Sequence, residues 1–234
     1  MVTISYTLFL NTKRKTPVIY SNTLKKSSTI YKSVFGDDIN MVVYYDNSVD
    51  KNTLDHLENN GVILKHKNIN KNWEGTFWRF EELDNIKDEN DVVILQDADT
   101  IINVENNLYK KMLNKLLSEE NKCGYLHHGG PTSIKKIKNE QRWILAGASM
   151  FKGKLPINVK ECIENYNSVN RNFGADEFFL RDYVWPHIKE KCLINIEKRS
   201  MEPLSRIIKT QPNIVPKWML EDNYKDRISN WTKK

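Results

Sequence analysis

Asp91 to Asn103 reads DVVILQDADTIIN, and its interpretation decides the fold. Val92, Val93, Ile94 and Leu95 run without a polar interruption, the pattern of a strand buried on both faces, as in the parallel sheet of an α/β domain. Asp97 and Asp99 then stand on either side of a small Ala98. Two carboxylates just past such a strand emerge at the C-terminal edge of the sheet, where open α/β sheets bind ligands. A plain polar turn after a buried strand would use the same residues. The surrounding chain has to separate the two readings.

Upstream, residues 3–10 (TISYTLFL) form an apolar first strand, and a basic loop follows from Asn11 to Thr16. Pro17 suits a helix first turn, and Val18 to Phe35 has helical length and apolar spacing. Gly36-Asp37-Asp38 ends that helix. Met41 to Tyr45 is a second strand, Asn52 to Asn59 a short helix closed by Gly61, and Val62 to His66 a third strand. The β-α-β-α-β order implies a Rossmann-like, mostly parallel sheet flanked by helices. Neither GxGxxG nor GxxxxGK[ST] follows the first strand, which speaks against a dinucleotide site of that type and a P-loop.

Gly75 to Ile86 (GTFWRFEELDNI) spaces Phe77, Phe80 and Leu83 three apart on one helical face and leaves Arg79 off it. Arg79 could pair with Glu82 at the surface. Its helix directly precedes the acidic strand in a βαβ unit, however, so it neighbours Asp97 and Asp99, where a guanidinium could hold a diphosphate by bidentate contacts.

Downstream, Asn106 to Leu117 is helical and Cys123 to Leu126 a short strand. Residues 127–142 form a long loop with two glycines, a proline and a basic cluster, of a length usually functional or disordered. Trp143 to Phe151 is apolar around Gly147, whose small neighbours Ala146, Ala148 and Ser149 permit close approach of a ligand or of another strand. Residues 158–168 look helical. Asn172 to Lys189 opens a helix at Gly174, places Asp176 and Glu177 in its first turn, where acidic groups also serve the helix dipole, and is ended or kinked by Pro186. From Leu193 onward the chain is expected to wrap the domain. No linker divides the 234 residues, so a single domain spanning 1–234 is expected.

Hydrophobic content of 39% and charged content of 28% fit a soluble globular protein. No run approaches the ~18 apolar residues of a membrane span. The three cysteines are scattered and suggest neither a disulfide framework nor a zinc site, so a reducing, cytoplasmic setting is expected. A formal charge of +6 favours anionic partners, although the lysines are spread among Asn and Glu along the chain.

A strand-end DxD suits a hard divalent cation bridging the phosphates of a nucleotide, and a separate carboxylate, Asp176 or Glu177, could deprotonate an attacking hydroxyl. In this combination the chain resembles the DxD-containing glycosyltransferases of the GT-A fold, and among them small bacterial and giant-virus (chlorella-virus-like) members. The matching pieces are Trp78-Arg79-Phe80, Asp97-Ala98-Asp99-Thr100, Ala146 to Phe151, and Gly174 to Leu180 with Val184-Trp185-Pro186, in the family's order across roughly residues 3–190. The resemblance implies a GT-A fold, a nucleotide-sugar donor (a UDP-sugar foremost), and Mn²⁺ or Mg²⁺ on Asp99 with help from Asp97. It further implies Arg79 and Ala98 beside the donor, the loop of Leu10, Asn11 and Lys13 near the nucleotide base, and an acceptor region at Gly147, Ala148, Ser149 and Gly174. It departs from the family at Gln96, where Arg is expected, and at Asn103-Val104-Glu105, where a basic-acidic pair is. The absence of any histidine after His187 favours an inverting reaction with Asp176 as base, in the host cytoplasm if the source is viral.

Two other readings use the same residues. A haloacid-dehalogenase-like phosphatase would employ Asp97 as nucleophile and Asp99 as acid, but its motif normally lies on the first strand. A basic glycan- or nucleic-acid-binding module would need aromatics interleaved with lysine, and here the aromatics occupy helical core positions, so no nucleic-acid partner is expected. Nucleotidyl transfer on a similar sheet usually needs a glycine-rich loop after the first strand, which is missing.

Overall fold

The computed structural model describes residues 1–9, 17–68, 74–100, 102, 108–128, 144–166, 175–196, 201–203, 206 and 209. Among them, eight strands form one sheet: β1 (Val2–Leu8), β2 (Ile39–Tyr45), β3 (Ile63–His66), β4 (Val92–Gln96), β5 (Gly124–His128), β6 (Ala148–Lys152), β7 (Cys192–Ile196) and β8 (Met201–Pro203), ordered β3-β2-β1-β4-β6-β5-β7-β8. The pairings β1–β2, β2–β3, β1–β4 and β5–β7 are parallel, whereas β6 runs against β4 and β5, and β8 against β7. The sheet is therefore α/β and mostly parallel, as the sequence implies. Chain order reverses between β1 and β4, and the crevice beyond the carboxyl ends of strands at such a switch point is the usual ligand site of an open sheet.

Helices cover both faces. Val92 and Ile94 of β4 pack with Leu24 of α1 (Pro17–Phe35), Leu57 of α2 (Lys51–Asn59) and Leu116 of α3 (Leu108–Leu117). Val93 and Leu95 face the opposite side with Phe77, Phe80, Phe179 and Trp185. Every residue of β4 is buried, which is why its sequence lacks alternation. One part of the expectation is corrected: β4 has a parallel neighbour only on the β1 side, because the chain returns through β6 in the reverse direction.

Three local features shape the site. Glu74–Asn85 is a 3₁₀ helix, not an α-helix. The strict spacing of Phe77, Phe80 and Leu83 matches three residues per turn, so their side chains eclipse on one buried face. After α2, Gly61 at φ 74° sends its N–H to Glu58 O (2.9 Å) and Val62 its own to Leu57 O (3.1 Å), a Schellman closure.

The helix expected over 172–189 is composite: α5 (Ala175–Phe179), a π turn over Leu180–Val184, α6 (Trp185–Ile188) and a 3₁₀ turn over Lys189–Lys191. Pro186 sits in the first turn of α6, a position proline tolerates, and does not end the helix. The Trp185 N–H reaches back to Leu180 O across the π turn. Residues 193–196, expected to start a wrapping tail, belong instead to β7 inside the sheet, where Cys192 and Leu193 are apolar and buried beside β5. Residues 210–234 lie outside the described residues. Among the described residues, no helix is long and apolar enough to cross a membrane.

Candidate active site

The site is built where β4 gives way to a turn. The Thr100 N–H donates to Asp97 O (3.0 Å), closing a β-turn over Asp97–Thr100. The polar-turn and ligand-site readings of this stretch are thus compatible, since the turn presents both carboxylates. Asp97 is half-exposed and Asp99 exposed. Ala98 is buried against the α1 face of the core, so a small residue is needed there, and it offers no side-chain contact to a ligand.

Across the antiparallel pair, Gln96 is in register with Ala148, which brings Gly147 opposite Asp97. Gly147 lies in a second turn, closed by Ala148 N–H to Leu145 O at 3.1 Å. A Cβ at Gly147 would sit 1.9 Å from Asp97 Oδ2, so only glycine permits this approach. The Tyr109 hydroxyl of α3 donates to Gly147 O (3.0 Å) and holds the turn from the other side. Lys152 anchors α3 in turn, its ammonium donating to Leu116 O (3.2 Å) and Glu119 O (2.5 Å) at the helix end.

Arg79 is buried and joins two strands and a helix. Its N–H donates to Thr7 Oγ1 (3.2 Å) and its carbonyl accepts from Ser5 Oγ (2.9 Å), both on β1. Nη1 donates to Gln96 O (3.0 Å) and Asp97 Oδ1 (2.5 Å), and Nη2 donates to Asp176 Oδ2 (2.7 Å). The pairing with Glu82 does not form. Glu82 instead accepts from Lys65, Tyr44 and Asn85. The diphosphate grip expected of Arg79 is also not what the fork does in this geometry, because both terminal nitrogens are engaged by protein oxygens and the side chain is 5% exposed.

Asp176 and Glu177, in the first turn of α5, share a cavity of about 260 Å³ with Asp97, Gly147 and Ala148. Burial pushes the Asp176 carboxyl above the usual range, with the Asp97 charge in the same direction and Arg79 opposing. Asp99 is likewise raised, by partial burial and then by the neighbouring Asp97 charge. Like charges sharing a site hold one carboxyl up in this way, and a cation between them relieves the repulsion. The donor set is all oxygen, which fits Mg²⁺ or Mn²⁺. Among the described residues no group of three or more His, Cys, Asp or Glu could enclose an ion, so further ligands would come from substrate and water.

The structure thus brings together Arg79, Asp97, Gly147, Ala148, Asp176 and Glu177, with Asp99 exposed in the same turn as Asp97. Ser149, expected near an acceptor, is buried in β6 on the face of Leu95 and Phe151, where its hydroxyl donates to Leu145 O (2.9 Å). Strand alternation turns it away from the cavity. Leu10, Asn11, Lys13 and Gly174 lie outside the described residues. Thr100, Tyr109, Leu145 and Ala146 line the cavity without having been singled out as ligands. Tyr109 falls in a helical stripe and carries no local signal of its role.

No protein-family profile matches the chain. No curated protein sequence matches it either. Solved structures similar to it include residues 1–349 of S. aureus TarS, at 13% identity and a TM-score of 0.45, over 84% of this chain and 58% of that one. A 4-diphosphocytidyl-2C-methyl-D-erythritol synthase from Anaerococcus prevotii is similar at 13% identity and 0.48, over 97% and 96% of the two chains. A mycobacterial protein is similar at 13% and 0.49, over 88% and 69%. The chain therefore spans less than two thirds of the TarS fragment. Likeness of this order carries no argument about chemistry.

Proposed function

We propose that this chain is a metal-dependent glycosyltransferase that moves a sugar from a nucleotide sugar, a UDP-sugar foremost, to a hydroxyl of a glycan or other acceptor. The observation that carries the reading is the convergence on one cavity of the strand-end Asp97 and the helix-borne Asp176, with Asp99 exposed two residues on in the same turn. A divalent cation held by Asp99 and Asp97 would neutralise charge growing on the departing diphosphate.

Asp176 takes the proton of the acceptor hydroxyl as its oxygen bonds to the anomeric carbon. The bond from that carbon to the phosphate oxygen breaks, and its electron pair leaves on the nucleoside diphosphate. Attack opposite the leaving group inverts the anomeric centre. Glu177 forms the cavity wall beside Asp176, and Gly147 with Ala148 offers a surface without side-chain bulk to the acceptor.

The phosphatase alternative is disfavoured by Asp97 itself. One of its oxygens is held by Arg79, and the strand that presents it is β4, not the first strand where that motif normally lies. The test is thermal-shift screening of nucleotides and nucleotide sugars with and without Mn²⁺, because a ligand that binds the folded state raises the unfolding midpoint. A metal-dependent shift with a nucleotide sugar supports the proposal. Turnover of p-nitrophenyl phosphate without any such shift overturns it.

A further inference from the structure

We infer that Arg79 is a positioning residue: a two-armed strut that fixes the strand-end carboxylate Asp97 and the helix-borne carboxylate Asp176 relative to each other, without itself contacting the ligands. This rests on the glycosyl-transfer reading above and assigns the division of work within it.

The geometry points to a strut for three reasons. The backbone of Arg79 is pinned to β1 on both sides, by Ser5 and Thr7, so the base of the side chain cannot shift independently of the sheet. The two arms end on different elements: Nη1 on the last carbonyl of β4 and on Asp97, Nη2 on Asp176 in α5. Finally, Nε is buried without a hydrogen-bond partner. A buried donor left without a partner is unfavourable, so the orientation of the fork is dictated by its two carboxylates and not by local satisfaction of all its donors. A guanidinium presents two terminal nitrogens in a fixed plane, and an ammonium presents one. Lysine at this position could reach Asp97 or Asp176 but could not brace one against the other.

The consequence is a split of function through one side chain. The Asp97 arm governs cation-dependent binding of the donor, and the Asp176 arm governs turnover. The experiment is a pair of double-mutant cycles. Binding of UDP in the presence of Mn²⁺ is measured by calorimetry for wild type, Asp97→Asn, Arg79→Gln and the double variant. Turnover of the nucleotide sugar is measured for wild type, Asp176→Asn, Arg79→Gln and their double variant, with kcat separated from donor KM.

Arg79→Gln is expected to weaken Mn²⁺-dependent UDP binding and to lower kcat, about tenfold or more in each, the ordinary size of coupling between contacting residues. In that background Asp97→Asn adds little further loss of binding, and Asp176→Asn little further loss of kcat. Arg79→Lys is expected to recover one of the two quantities and not both; if Arg79→Gln fails to fold, both cycles are run on the lysine variant. Additive losses in both cycles mean that Arg79 acts independently of the two carboxylates, and they overturn the strut, as does recovery of binding and kcat together by lysine. A wild type that neither binds UDP with Mn²⁺ nor turns over a nucleotide sugar overturns the functional reading, and the strut with it, by a result that the variants cannot mimic.

Discussion

Gly147 and Asp97 face each other across the end of an antiparallel pair so closely that one added methyl carbon would lie 1.9 Å from Asp97 Oδ2 and 2.2 Å from its Cγ. The turn backbone is held by Tyr109 and the carboxylate by Arg79. Gly147→Ala should therefore displace the Asp97 carboxylate from Arg79. Overpacking of this kind costs about 1–3 kcal/mol, readable as a lower urea midpoint, and cation-dependent nucleotide binding should fall more than the stability loss explains. Unchanged binding in a well-folded Gly147→Ala protein would remove Asp97 from the site.

Asp176→Asn should lower transfer by a factor of about 10² to 10⁴, the ordinary contribution of a general base, and leave donor binding largely intact. Acceptor activation needs the base; holding the diphosphate does not. Burial, against the opposing Arg79, raises the Asp176 carboxyl, so its protonation sets in at a higher pH than for a free Asp. The acid limb of kcat should then lie above the ordinary value of about 3.9. Weakened donor binding in the asparagine variant would argue against the base role.

A separate acid effect concerns stability. Burial alone would raise Glu82, but hydrogen bonds from Lys65, Tyr44 and Asn85 overcome it and hold the carboxyl below its usual range. With the folded-state value depressed, the unfolded chain binds the proton first as pH falls. The stabilisation is therefore complete above the unfolded value of about 4.3 and is lost as pH drops through the folded one. Glu82→Gln should flatten the slope of unfolding free energy against pH in that window. An unchanged slope would show that other carboxylates govern it.

Phe80 is fully buried and stacks on Phe179, with ring centroids 5.6 Å apart and planes 16° apart. Phe80→Ala should cost about 3–5 kcal/mol by chemical unfolding. Because Arg79 immediately precedes it in the same 3₁₀ helix, loosening this face should also weaken cation-dependent binding. A loss under 1 kcal/mol, measured against that ~3–5 kcal/mol cost of a cavity, would mean that the face is not packed as described.

Much of this architecture was legible in the residues. The unbroken run in β4 announced burial on both faces, Gly61 announced the end of α2, and the regular spacing of Phe77, Phe80 and Leu83 announced a buried helical face. The same spacing also held the correction, since a strict interval of three suits a 3₁₀ helix better than an α-helix. The direction of β6 was not legible, because a short apolar run looks the same in a parallel and an antiparallel pair. Nor was the environment of Arg79. Sequence proximity suggested Glu82, and the pairing with Asp176 depends on a contact between residues 97 positions apart that only the closed sheet creates. Ser149 was misread because one step along a strand reverses the face a side chain occupies. Gln96 is fully buried and accepts from the Tyr6 hydroxyl at 2.9 Å, a core role that its place beside the acidic pair did not advertise.

The acidic pair at the end of β4 is the proposed cation and diphosphate site. Its most direct test is calorimetric binding of UDP-sugars to wild type and to Asp99→Ala, each with and without Mn²⁺. Binding by wild type should require Mn²⁺ and should be lost in Asp99→Ala while the variant remains folded. Binding that survives unchanged in Asp99→Ala, or that needs no cation in wild type, would contradict that assignment.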